Sequence, residues 1–437
     1  MSATLPRKLD TRDAVVIGLG SMIGAGVFSA FGPAAGAAGT GLLIGLALAA
    51  AVAYCNAVSS AQLAAQYPTS GGTYVYGRER LGEWWGFLAG WGFVVGKTAS
   101  CAAMALTFGA YAVDGPRWLQ RVLALAAVLA LAAVNYHGIT RTAGLGRLLV
   151  AASLLALLVF VLAVLTGGGS ARSNLGGLGS LGDGGLHGTL QAAGLLFFAF
   201  AGYARIATLG EEVIRPRRTI PRAIQIALAI TIAVYGAVGV AALAAAGPQA
   251  LAASTHPLST AVEAAGAAWA APVVRVGAAV ASLGALLALI AGLGRTGLAM
   301  ARNGDLPRWL DSVHRRHGVP DHAELAVAAA AGLLVLTTDL RGAIGFSSFG
   351  VLTYYAIANA SAYTQTAEHR RWPRIVNVAG LAGCVVLVAS LPLASVAVGV
   401  AVVALGLAGR LVTARIRDQR GGGSPTDEIL PKTGSSG

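Results

Sequence analysis

The sequence predicts an all-α integral membrane protein of about 12 transmembrane helices, in series of five, five and two. Three observations predict it. Hydrophobic residues make up 56% of the 437 positions and charged residues 11%, more apolar surface than a water-soluble fold can bury. The apolar stretches run about 18 to 28 residues and recur along the whole chain, the length a helix needs to cross a hydrocarbon core of about 30 Å. The basic residues also sort by side. With the N-terminus inside, 24 of the 31 Lys and Arg fall on the predicted cytoplasmic face, 5 on the outer side and 2 within helices. That is the positive-inside pattern, and it puts both termini in the cytoplasm.

The formal charge of +13 follows from this topology. The basic residues are scattered over short loops and not gathered on one face, so the expected partner is the lipid bilayer and not nucleic acid. The polar N-terminal segment, 1–12, leads into a full-length apolar helix with no small-residue cleavage site, and no signal peptide is expected. A first five-helix series, 13–166, holds spans near 14–36, 41–65, 84–112, 119–136 and 143–166. A Gly/Ser-rich outer loop, 167–188, leads to the second series, 189–368, with spans near 189–209, 223–246, 272–301, 322–338 and 344–365. Between its second and third spans, residues 247–271 read as an outer loop with a short surface helix. Two further helices occupy 369–412, near 375–391 and 393–411. The tail 413–437 is expected to be a cytoplasmic expression remnant or disordered end. It contains LPKTG, but a surface-anchoring signal needs a hydrophobic stretch after it and none follows. Cys55, Cys101 and Cys384 all sit in apolar stretches and read as small buried hydrophobes, which argues against a disulfide framework, metal cluster or redox chemistry.

The first span reads GLGSMIGAGVFSAFGPAAG, with Gly18, Gly20, Gly24 and Gly26 clustered around Ser21 and Pro33 beyond. Small-residue helix packing needs only a glycine at every fourth position, so four in this run suggest backbone that leaves the helix. The sixth span reads LLFFAFAGYARIATLGEEV and opens the second series as the glycine-rich span opens the first. Matching irregularities in two halves point to inverted repeats. In such folds half-helix amide ends aim at an anionic group while freed carbonyls take a cation. The amides of Ala25 and Gly26 would suit a carboxylate, and the carbonyls of Ile23, Phe198 and Ala201 an ammonium. Ser21, Gly24, Gly202 and Tyr203 complete the expected substrate-binding set. A broken helix in lipid persists only where it lines a cavity, since each unpaired polar group there costs several kcal/mol.

At these residues the chain resembles the amino acid–polyamine–organocation (APC) superfamily, nearest the bacterial relatives of the cationic amino acid transporters. GSMIGAGVF (20–28) resembles the first-helix motif of that group. FFAFAGYARIATLGEEVIRPRRTIP (197–221) resembles its sixth helix and following cytoplasmic loop, and AMARNGDLPRWL (299–310) the loop after its eighth helix. The likeness covers most of 9–411. It implies a five-plus-five inverted-repeat transporter with discontinuous helices 1 and 6 and two added C-terminal helices. It also implies an amino acid substrate with its carboxylate at Ala25 and Gly26, its amine at the carbonyls of Ile23, Phe198 and Ala201, and an aromatic gate at Phe198. Two positions depart from the pattern. Many cationic amino acid carriers have an acid two residues after the sixth-helix glycine, where this chain has Ala204 followed by Arg205. The fifth-helix lysine of some proton-coupled members falls at Ser153, counting from Gly138. The resemblance therefore carries over neither cationic substrates nor that coupling residue.

Lys97, in WGFVVGKTASCAAMA, lies near the middle of the third span. It is one of only three lysines, against 28 arginines. A charged side chain at that depth is a functional hypothesis by default, and lysine, unlike arginine, can release its proton when desolvated. Two roles are open to it: proton coupling, or hydrogen bonding to freed carbonyls of the first helix. Arg205 is open to meeting an anionic substrate group, pairing with Glu211 or Glu212, or snorkelling. Ser347, Ser348, Tyr354, Tyr355 and Asn359 on the tenth span could line a cavity or bond between helices. Ser282 is the sole hydroxyl in VGAAVASLGALLALIAGLG of the eighth span, which favours protons or exchange over sodium coupling.

A channel would need a continuous polar lining. An enzyme would need a His, Asp or Cys constellation, and the seven histidines, all in or beside predicted loops, show no ligand or triad spacing. The expected function is secondary active amino acid transport by alternating access in the plasma membrane, with proton-coupled uptake as the main reading. An obligatory exchanger and a basic amino acid or polyamine carrier are the alternatives. No enzymatic activity, cofactor or metal is expected.

Overall fold

The structure is a computed structural model that describes residues 9–69, 71–137, 143–168, 172–175 and 184–421. The anchor position Gly138, half of the Gly/Ser-rich loop and the LPKTG tail lie outside these residues. Among the described residues the regular structure is helical, apart from one parallel bridge between Leu9 and Val213.

The first apolar segment is built in three pieces: α1 (Thr11–Met22), α2 (Ala25–Ser29) and α3 (Phe31–Ala38). Asp10 caps α1 in a capping box: the Asp13 amide donates to its carboxylate at 2.9 Å and the Asp13 carboxylate accepts from the Asp10 amide. That amide donor holds the Asp10 carboxyl below its ordinary range. A turn leads into α4 (Leu42–Gln66). The short α5 (Thr73–Leu81) then precedes the long α6 (Glu83–Ala112), α7 (Arg117–Tyr136) and α8 (Ala143–Thr166).

The second series opens with α9 (Gly185–Phe200), a 3-10 turn over Ala201–Tyr203, and the single turn α10 (Ala204–Ala207). Next comes α11 (Pro216–Ala253), kinked at Gly247, whose φ of 72° no helix contains. The segment after α11 carries α12 (Pro257–Ala264). It is followed by α13 (Ala271–Arg302), α14 (Asp321–Thr337), α15 (Leu340–Tyr363), α16 (Arg374–Ser390) and α17 (Leu393–Gly421).

Nine helical stretches among the described residues are long and apolar enough to cross a membrane. The outward faces agree with that environment. On α8, Leu155, Leu158, Leu162 and Leu165 are exposed at one-turn spacing, a stripe that water would not tolerate and hydrocarbon covers. Inside, small residues let backbones meet. A Cβ on Gly350 of α15 would stand 2.6 Å from the Gly92 carbonyl oxygen of α6 and 2.7 Å from the Cα of Gly96, so that helix pair depends on glycine at the crossing.

Ion pairs tie the bundle at its two ends. Where α5, α13 and α17 meet, the buried Asp305 accepts from Arg78 at 3.2 Å and Arg410 at 3.1 Å, and Tyr74 donates to it at 2.7 Å. At the opposite end Asp114 pairs with Arg275 and lies 3.5 Å from His256, while the Tyr111 hydroxyl donates to the Phe28 carbonyl at 2.6 Å.

Candidate functional site

The first break is an extended step. Ile23 (φ −82°, ψ 65°) and Gly24 (φ −110°, ψ −147°) separate α1 from α2. As the opening residues of α2, Ala25 and Gly26 have amides without intrahelical acceptors. The second break is tighter: the chain passes from α9 to α10 through the 3-10 turn at Ala201–Tyr203, without an extended step. The two breaks face each other. A Cβ on Gly202 would overlap the Ser21 carbonyl, and one on Gly26 would come within 2.7 Å of the Ala199 Cα. Glycine at both positions is what lets the two interrupted helices touch backbone to backbone.

The carbonyls released by the breaks are met by side chains from three neighbouring helices. Tyr235 on α11 places its hydroxyl 2.5 Å from the Met22 carbonyl and 3.1 Å from that of Ala199, bridging the two breaks. Lys97 on α6 donates to the Ala201 carbonyl at 3.3 Å, and Tyr355 on α15 donates to the same oxygen at 3.2 Å. Among the described residues no carboxylate lies within 4.0 Å of Lys97. Tyr235→Phe removes the one hydroxyl donor that these two carbonyls share, a loss of about 1–3 kcal/mol. The expected outcome is a lower melting temperature in detergent together with reduced transport.

A cavity of about 540 Å³ opens from the breaks. Its walls include Gly24, Gly26, Phe198, Ala201 and Gly202 at the breaks, Phe93, Lys97 and Met104 on α6, Tyr354, and the α13 face from Ala285 to Ala299. It runs toward Thr208, Glu212 and Arg295, the end where Leu9 pairs with the chain after α10 (Leu9 amide to Glu212 carbonyl, 3.1 Å). The charged groups along it are Lys97, Arg205, Arg295 and Glu212, three cations and one acid. A second cavity of about 350 Å³ lies between α1, α8 and α13, lined by Ser153, Arg147 and Asp13 among others. Ser21, Arg205 and Glu212 border both.

The sequence profile of a family described as amino acid permease matches residues 9–413. The chain belongs to the amino acid permease family of the APC superfamily. A transporter of Mycobacterium tuberculosis, described as uncharacterized, is 59% identical over 424 residues, covering 96% of this chain and 94% of that protein. A branched-chain amino acid permease of Bacillus subtilis is 26% identical over 401 residues, with 86% and 85% covered. Human cationic amino acid transporter 4 is 28% identical over 384 residues, with 83% and 60% covered.

Within this permease fold, Ser21, Gly24, Gly26, Phe198, Ala201, Gly202, Lys97, Arg205 and Tyr354 all line the larger cavity. Ile23 and Ser153 line the smaller one, and the Ser153 hydroxyl donates to the Leu149 carbonyl one turn back. Ala25 is fully buried behind the first break. Tyr203 and Asn359 lie elsewhere. The Tyr203 ring stacks on Tyr355 with centroids 4.9 Å apart, behind the cavity wall. Asn359 belongs to a buried polar seam: it donates to Asn56 at 2.6 Å and accepts from Ser59 at 2.7 Å, and Asn377 donates to Ser59. Sequence reasoning passed over Tyr235. A lone tyrosine in ALAITIAVYGAVGVAAL was the available signal, because a phenol buried at that depth needs a hydrogen-bond partner.

Proposed function

We propose that the chain is a secondary active transporter that takes up neutral amino acids by alternating access, coupled to protons through Lys97. In this reading twelve helices cross the plasma membrane. The pieces α1 to α3 form helix 1, α9 and α10 form helix 6, and the shorter α14, the more polar α15 and α16 also span. The two halves form inverted five-helix repeats, with both termini cytoplasmic. The cavity reaches the end of the bundle that carries Leu9, so the state is inward-facing.

The observation that carries the reading is the meeting of two interrupted helices, backbone to backbone, at the wall of one cavity. The substrate carboxylate would sit at the amides of Ala25 and Gly26 and its ammonium at the Ile23 and Phe198 carbonyls, with Phe198 closing over it. The Ala201 carbonyl already accepts from Lys97 and Tyr355. Three cations and one acid along the cavity disfavour a cationic side chain. Apolar walls at Phe93, Met104 and Phe198 favour a hydrophobic one, in keeping with the branched-chain relative.

The test is uptake into proteoliposomes of purified protein with labelled leucine, isoleucine, valine and arginine, under an inward proton gradient and without one. Accumulation of the neutral substrates that collapses with the gradient is expected. Uptake that requires preloaded amino acid instead would replace coupling by exchange. No saturable uptake of any amino acid would sink the assignment.

A further inference from the structure

A cleft of about 490 Å³ lies apart from the transport cavity, at the start of α11. It is lined by Pro68, Arg215, Pro216, Arg217 and Arg218. The three arginines are exposed, and among the described residues none has a carboxylate within 4.0 Å. Their backbone is fixed: the Arg218 and Thr219 amides donate to the Arg215 carbonyl at 2.9 and 3.1 Å, and the Ile214 amide donates to the Leu9 carbonyl at 2.8 Å. A fourth guanidinium, Arg371, donates to the Arg217 carbonyl at 2.7 Å. Burial and then the neighbouring Arg217 charge disfavour the charge on Arg371, so this corner concentrates positive charge, with no carboxylate among the described residues within 4.0 Å of its arginines.

The helix that begins here decides which anion suits the corner. Along α11 the exposed positions recur at helical spacing: Arg218, Arg222, Ile226, Ile230, Ala233, Ala237 and Val240. Ile226, Ile230 and Val240 are 46%, 37% and 44% exposed. One face is thus cationic for its first turns and apolar for the next four, in a chain built to sit in lipid. A soluble phosphate would use only the first part of that face. An amphiphile with a negative head and hydrocarbon tails matches all of it.

We propose that the Arg215–Arg218 cleft binds the phosphate headgroup of an anionic phospholipid whose acyl chains lie along the outward face of α11. The occupant is the leaflet's own anionic lipid, and the site is independent of the amino acid pathway.

Native mass spectrometry of the full-length protein tests this, with phosphatidylglycerol and phosphatidylcholine supplied at equal concentration in detergent. Phosphatidylglycerol is expected to be retained about 10-fold or more over phosphatidylcholine, since each basic residue adds to attraction for an anionic lipid. Combined Arg215→Gln, Arg217→Gln and Arg218→Gln substitution is expected to remove that preference. The control Arg308→Gln, in the loop after α13, should keep it. Should the triple variant fail to purify, Arg218→Gln alone is expected to lower the enrichment severalfold. Equal retention of the two lipids by the unaltered protein overturns the proposal, as does an unchanged preference in the cleft variants. Millimolar inorganic phosphate is added in a separate arm. Complete displacement of the lipid by phosphate would identify a soluble phosphate ligand and also overturn it.

Discussion

Lys97→Met is expected to reduce uptake about 10- to 100-fold, from the 1.5–3 kcal/mol that a charged donor contributes to a hydrogen bond, and to leave the residue insensitive to an imposed pH gradient. The Lys97 amine donates to the Ala201 carbonyl at the second break and lines the cavity. No carboxylate among the described residues lies within 4.0 Å to hold it permanently as an ion pair. A protonated amine donates to Ala201 as a cation, and a deprotonated one changes both that bond and the charge in the cavity. A change of protonation there would bias the geometry of the break. Tyr355 still donates to the same oxygen in the variant, so folding should survive and the loss should fall on transport. Lys97→Arg separates the roles, since arginine keeps charge and donors but cannot release a proton. It should bind substrate and fail at gradient-driven accumulation. Residual uptake in Lys97→Met that follows the pH gradient as the unaltered protein does would leave Lys97 with a structural role only.

The second large effect is expected from the smallest change. Gly202→Ala puts a methyl group where the Ser21 carbonyl and the Met22 amide already stand. Those are backbone atoms, which cannot rotate aside, so α1 has to move away from α10. Overpacking of this kind costs about 1–3 kcal/mol even where side chains can yield, and here it also pulls apart the two breaks that Tyr235 bridges. Transport should fall to background with a clearly lowered melting temperature. Gly236→Ala, one residue beyond Tyr235 on α11, is the matched control. A Cβ there meets nothing within 4 Å, and alanine in a helix should be neutral or stabilising by about 0.5–1 kcal/mol. Equal behaviour of the two variants would remove the argument that close backbone contact at Gly202 matters.

Much of this was readable in one dimension because lipid imposes simple rules. Helix length follows bilayer thickness, and the glycines around Ser21 flag an interruption, although Gly24 alone sits at it while Gly18, Gly20 and Gly26 are helical. The second break was only half legible. GYARIATLG marks the place, but a 3-10 turn and an extended step look alike in sequence, and the choice rests on how closely α1 approaches. Tyr203 belongs to the substrate set expected at the sixth span and Asn359 is open to lining a cavity or bonding between helices; in the fold Tyr203 stacks on Tyr355 and Asn359 bonds to Asn56 and Ser59. The direction in which a helix residue points depends on rotation about the helix axis, and apolar surroundings on all sides leave that rotation unspecified. Histidines gave a similar lesson. His314 and His317 lie far along the chain from His137, yet all three gather around Tyr136 with ring centroids 5.0 to 6.1 Å from it, a proximity that comes from α7 meeting the loop after α13.

The sequence by itself determined that the chain is a bundle of membrane helices and that its first helix is interrupted, because these depend on composition, periodicity and backbone freedom, which are local; the family is carried by its motifs. Only the tertiary structure decided which side chains answer the freed carbonyls. Tyr235, Lys97 and Tyr355 come from three separate helices, and their convergence on Met22, Ala199 and Ala201 depends on packing distances that no single segment encodes.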